Sequence, residues 1–269
     1  MRFSAHSRYS APYGTARAIR RFLQVGWLIL CPIRTGLAAQ DTDLQPLPDD
    51  SALSGKLGAV GMIIAGDPGP ALSIATGFLI SPCHVLTAAH VLTRPGSGVK
   101  LDMPVQFQPR DKNGRVARQA AWGRIVAADP DFLMTGNPPG FDPKAIARDW
   151  GLIELDHPIH DIEPIKLVYP GARLAANARF SIVGYPFGSR QIGLQAHEHC
   201  PNWSGHHGAI DLGGTIIADC AVRQGMSGGP LLIEGNPAPL AAGIVVERFE
   251  IARKIMAVAV PGHVFAEKI

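Results

Sequence analysis

Thr76-Gly77-Phe78-Leu79-Ile80 is a strand-sized apolar run, and Leu86-Thr87-Ala88-Ala89-His90 follows shortly after it. Similar runs recur along the chain, bounded by Gly, Pro and Asp. They are Ala59–Ala65, Ile74–Ile80, Leu152–Leu155, Phe180–Gly184, Thr215–Ala218, Pro230–Ile233 and Ala241–Val246. Each is short and rich in Val and Ile, as strands are. No helix-period segment of a dozen residues separates them, so a parallel βα repeat is not supported. Regular turn signals point to an all-β barrel or sandwich. The stretch Asp161–Ala175 reads as a bridge between two halves.

Composition agrees with many short strands. The 269 residues include 30 Gly and 23 Pro, and 46% are hydrophobic, enough for a packed core. The net charge of +3 comes from the N-terminus. Residues 1–39 hold six arginines and no Asp, Glu or Lys. Without them, 19 basic residues face 22 acidic ones, so no basic nucleic-acid surface is implied.

Those first 39 residues read as an export signal. An Arg-bearing start leads into the apolar stretch Phe22–Ile33, followed by Gly36, Ala38 and Ala39. The stretch is short of the roughly 20 apolar residues a bilayer span needs, so no stable membrane span is expected. Residues 40–56 are polar and read as a linker or N-terminal arm. A secreted or periplasmic destination permits disulfides. Cys200 and Cys220 can then close one, while Cys83 reads as a buried thiol.

Two further stretches carry chemistry. Asp149-Trp150-Gly151-Leu152-Ile153-Glu154-Leu155 sets a carboxylate before an apolar strand. Gly225-Met226-Ser227-Gly228-Gly229-Pro230-Leu231 sets a serine in a glycine-rich turn. Acyl transfer by serine needs a nucleophile, a base of near-neutral pKa and an acid that orients the base. His90, Asp149 and Ser227 supply one of each.

With all three in hand, the chain resembles the trypsin/chymotrypsin-like serine peptidases. Thr87-Ala88-Ala89-His90 is similar to the family's histidine motif, residues 149–155 to its aspartate strand, and residues 225–230 to its serine loop. The order His, Asp, Ser is also the chymotrypsin order. The resemblance runs from about residue 57 to the end and is closest to bacterial members, including the glutamyl-endopeptidase type. Cys220, seven residues before Ser227, and Gly184-Tyr185-Pro186 support that grouping.

The resemblance implies two six-stranded antiparallel β-barrels, about 57–165 and 172–269, with the active site in the cleft between them. It implies a serine endopeptidase acting on polypeptides, open to a proteinaceous inhibitor, with no cofactor and no metal. Gly225 and Ser227 would supply the oxyanion-hole N–H groups. Ala221, Val222, Val245, Val246 and Arg248 would line the primary specificity pocket. No acid sits at its base, which disfavours a Lys or Arg preference. Val245 stands where the glutamyl type has a histidine, which disfavours that preference too. The mostly apolar lining suggests a small or medium apolar residue before the cleaved bond, while Arg248 could instead favour an acidic one. Met226 departs from the family's usual Asp, and no activation-site motif precedes Ala59, so the oxyanion loop must be held in another way.

Other readings compete. Gly225-Met226-Ser227-Gly228-Gly229 also fits the Gly-x-Ser-x-Gly turn of α/β-hydrolase esterases. Only His263 follows Ser227, however, and βα alternation is missing. His197, His199, Cys200, His206 and His207 could form a metal-binding module, but their spacing matches no closed four-ligand pattern. A non-catalytic protein-binding homologue would usually have lost one of the three residues, and all three remain.

Overall fold

A computed structural model describes residues 44–47, 56–66, 73–93, 99, 101–110, 120–135, 143–168, 174–187, 193–203, 214–251, 254–266 and 269. The proposed export signal lies outside them, as do Cys31, His206 and His207. The first strands are β1 (Gln45–Pro46), β2 (Val60–Ala65), β3 (Ser73–Ser81), β4 (His84–Thr87), β5 (Pro104–Gln108), β6 (Ala121–Ala128) and β7 (Gly151–Leu155). Then come β8 (Lys166–Leu167), β9 (Arg179–Gly184), β10 (Gln195–Pro201), β11 (Ile216–Ala218), β12 (Pro230–Ile233), β13 (Leu240–Ile251) and β14 (Lys254–Pro261). Among the described residues the helices are short: α1 (Pro130–Thr135), α2 (Pro143–Ile146) and α3 (Gly262–Ala266).

The first half is a closed antiparallel barrel in the order β2-β3-β4-β7-β6-β5. Closure removes exposed sheet edges. Strand β3 is continuously buried from Ala75 to Leu79, because one face fills the barrel and the other meets the second sheet. Phe78, Leu79, Val85, Leu86, Phe107, Ile125 and Ile153 are fully buried here. Two backbones approach closely at Gly123, where a Cβ would overlap the Glu154 carbonyl.

The second half is an eight-stranded sheet in the order β1-β10-β9-β12-β13-β14-β11, with β8 pairing parallel to β13. Six of these strands, β10 to β11, curl round until their edges meet. Asn202 bridges Ala218 there, and the Asp219 N–H donates to the Pro201 carbonyl at 3.0 Å. The Cys200–Cys220 disulfide crosses the same seam, with Cα atoms 5.2 Å apart. Phe180, Ile182, Leu231 and Val245 pack with it in the interior.

The two extra strands come from segments that read as connectors. Within the arm over 40–56, the described residues 44–47 are held against the second sheet. Leu44 and Leu47 are buried, β1 pairs with β10, and the Leu47 N–H donates to the Leu194 carbonyl. The bridge Asp161–Ala175 likewise contributes β8, in register with Leu240 and Ala241. Apolar side chains buried at these points offset the entropy of ordering the chain.

The disulfide closes a loop of sequence separation 20, worth about 3 kcal/mol through the unfolded state. The double variant Cys200→Ser/Cys220→Ser should lose stability of about that size, read as a lower urea midpoint at unchanged m-value. An unchanged midpoint would show that the seam holds without it.

Candidate active site

Register brings the histidine and the aspartate together. In the β4–β7 ladder Thr87 pairs with Gly151, so residues just after Thr87 and just before Gly151 leave at the same end. His90 follows in a 3-10 turn, Ala89–Leu92, and Asp149 follows α2, with its N–H on the Ile146 carbonyl. Gly151 allows the close approach, since a Cβ there would lie 2.6 Å from Leu92 Cδ1.

Asp149 Oδ2 lies 2.7 Å from His90 Nδ1, and Oδ1 accepts the His90 backbone N–H at 2.8 Å. Asp149 is buried and the His90 side chain is 23% exposed. An ionised carboxylate only accepts hydrogen bonds, so Nδ1 carries the proton and Nε2 of the neutral ring is left as the basic nitrogen. Burial by itself would lower the imidazole pKa. The charge and hydrogen bond of Asp149, with the charge of Glu247, outweigh it and leave the pKa raised above 6.5.

Ser227 sits in the turn before β12, half-buried, against the first barrel. Four consecutive peptide planes of this turn are pinned. The Gln224 carbonyl accepts from the Phe187 N–H at 2.7 Å. The Gly225 carbonyl accepts from Thr76 Oγ1 at 2.7 Å. The Met226 carbonyl accepts from the Gly229 N–H, and the Ser227 carbonyl from the Thr76 N–H, both at 3.0 Å. The Gly228 N–H donates onward to the Val245 carbonyl at 2.7 Å. Gly225 and Gly228 have φ of +94° and +86°, a region that disfavours side chains. A Cβ on Gly228 would also overlap the Thr76 carbonyl and Thr87 Oγ1, and lie 2.9 Å from the Ala88 nitrogen. Ala88 is two residues from His90, so the serine turn and the histidine turn abut. Among the described residues, no protein group accepts the Gly225 or Ser227 N–H. Likewise, no hydrogen bond joins His90 Nε2 to Ser227 Oγ. Such contacts are often long without substrate and tighten when it binds.

The expected pocket residues are split. Ala221, Val222 and Val245 are buried in one cluster with Met226 and the disulfide. Val246 packs in the other cluster, with Ile244 and Val260, because successive side chains of β13 point to opposite faces of the sheet. Arg248 is exposed, and its N–H donates to Glu247 Oε1 at 2.8 Å. The described histidines of the histidine-rich segment hold structural contacts. His197 Nδ1 accepts the Ala221 N–H at 2.7 Å, and the Cys200 and Cys220 sulfurs are bonded to each other. His199 pairs with Glu234, its Nδ1 2.9 Å from Oε2. Sequence reasoning gave no role to Thr76 or Glu247, and considered His197 only as a candidate metal ligand. The available signals were an acid ending the apolar run at 241–246 and a hydroxyl residue inside a strand otherwise apolar.

A family model described as a trypsin-like peptidase domain matches residues 75–236, a span that contains His90, Asp149 and Ser227. The chain therefore belongs to the trypsin-like peptidase family and is a peptidase. The fold is similar to a crystal structure of the protease Anisep from Arthrobacter nicotinovorans. The TM-score is 0.57 at 17% identity, covering 83% of this chain and 96% of that one. No curated protein matches the chain.

The raised pKa has a direct readout. Followed by the imidazole Cε1–H shift in NMR, His90 should titrate with a midpoint above 6.5. Glu247→Gln should lower that midpoint, because it removes a negative charge that favours imidazolium. A midpoint below 6.5, or one insensitive to Glu247, would contradict the electrostatics described.

Proposed function

We propose that the chain is a serine endopeptidase in which His90, Asp149 and Ser227 act as one catalytic unit. The observation that carries this is the pair of hydrogen bonds that His90 donates to Asp149, set beside a serine turn pinned at four successive peptide planes. Ser227 Oγ attacks the scissile carbonyl while His90 Nε2 takes its proton. The imidazolium formed is stabilised by Asp149 and gives the proton to the leaving amine. Water then repeats the sequence to release the acid and restore Ser227. Among the described residues no protein group accepts the Gly225 or Ser227 N–H, which supports their role in binding the oxyanion.

Ala221, Val222 and Val245 give the primary pocket an apolar lining, which supports a small or medium apolar side chain before the cleaved bond. Polypeptides are the substrate class, as membership of a peptidase family implies. The disulfide accords with an oxidising compartment, and residues 1–39 are proposed as the signal that directs the chain there. No helix among the described residues is long and apolar enough to cross a membrane.

Ser227→Ala should reduce kcat on a polypeptide substrate by a factor of about 10⁴ or more, with circular dichroism and thermal midpoint unchanged. Undiminished hydrolysis by the folded variant would remove the serine mechanism. Cleavage of a mixed peptide library by the wild-type enzyme should favour apolar residues before the cut.

A further inference from the structure

Met226 replaces the acid by which this loop is usually fastened, and Met226 is itself buried among apolar residues. Something else must hold the turn. We infer that Thr76, from the opposite half of the molecule, is the positioning residue that keeps the oxyanion turn in its working conformation. This rests on the serine-peptidase reading above and adds a residue to it.

Thr76 is fully buried in β3, and every polar group it owns is committed. Its Oγ1 donates to the Gly225 carbonyl at 2.7 Å and accepts the Tyr185 N–H at 2.9 Å. A hydroxyl has one proton and two lone pairs, so both bonds can exist together. Its N–H donates to the Ser227 carbonyl at 3.0 Å. Its carbonyl accepts from Thr87 Oγ1 at 2.7 Å. Thr76 thus pins two of the four planes around Ser227. The plane between Gly225 and Met226 is the one held by a side chain from outside the turn. Rotating it would change the φ of Met226 and the ψ of Gly225, which together orient the two N–H groups on either side.

Thr87 makes the device stiff. It belongs to the strand that runs into His90, and it braces the same Thr76 carbonyl against which Gly228 is packed. One hairpin, β3–β4, therefore sets both the imidazole and the oxyanion turn. A valine at position 76 has nearly the shape of threonine. It would leave the Gly225 carbonyl and the Tyr185 N–H buried without that partner, at a site where unpaired groups are costly. The turn would then sample other orientations, and stabilisation of the transition state would fall while substrate contacts elsewhere persist.

The test compares Thr76→Val, Thr76→Cys and Thr76→Ser in the full chain. Fluorescein-labelled casein reads kcat and KM, and phenylmethylsulfonyl fluoride reads the inactivation rate constant. Thr76→Val should lower kcat on the order of 10- to 100-fold with KM within about twofold, since losing a whole oxyanion donor costs more. Its inactivation rate constant should fall by a similar factor. Thr76→Ser keeps the hydroxyl and should recover most of the activity. Thr76→Cys, a weaker donor of similar size, should fall between them and decides the matter if the valine variant does not fold. A residue that served folding alone would reduce the amount of titratable enzyme and leave the inactivation rate constant unchanged. That result, or a Thr76→Cys enzyme with wild-type kcat, overturns the inference. An active Ser227→Ala enzyme would instead remove the serine reading itself, so the two failures are told apart.

Discussion

The structure depends on a single seam, where the β3–β4 hairpin meets the turn 225–229 with only the small side chains of Thr76 and Thr87 at the contact. The Thr76 N–H reaches the Ser227 carbonyl, and the Gly228 backbone lies on the Thr76 carbonyl and Ala88 nitrogen. Any Cβ at Gly228 would force the two halves apart. Backbone packed on backbone is rigid, because it cannot yield by changing rotamer. Gly225 and Gly228 are thus required twice, once for positive φ and once for contact. The shared seam makes the orientation of Ser227 a property of the first barrel as much as of the second sheet.

The charged part of the site sits in a pocket where isolated ionisation would be costly. Asp149 meets that cost through two N–H donors from one residue, and the same contacts fix the ring of His90. Geometry and electrostatics are one arrangement here. The carboxylate that orients the imidazole also favours its protonated form. Glu247 adds to this field from the exposed part of β13, where the register against β14 shifts.

Much of the fold was legible because buried strands leave apolar runs. The runs at 59–65, 74–80, 152–155, 180–184, 215–218 and 230–233 lie on strands with ends shifted by a residue or two. Strand β13 extends past its run to Ile251, where its tail pairs with β14 and needs little burial. Strands β5 and β10 were hidden, because Pro104–Gln108 and Gln195–Pro201 alternate or expose polar side chains. The arm at β1 was hidden because two buried leucines, Leu44 and Leu47, are too few for a pattern. The three proposed site residues were picked out from their short flanking phrases. Thr76 could not be given its role, because its importance lies in partners about 150 residues away, at 225 and 227. Pairings at that separation come from topology and leave no local pattern.

The central claim is that one serine, and no other nucleophile, is activated by this arrangement. The most direct test treats the full-length protein with a fluorophosphonate and maps the adduct by peptide mass spectrometry. The account predicts a single modified residue, Ser227, with modification lost when the protein is unfolded before treatment. An active enzyme that takes up no label at Ser227, or takes it up at another residue in proportion to lost activity, would contradict it.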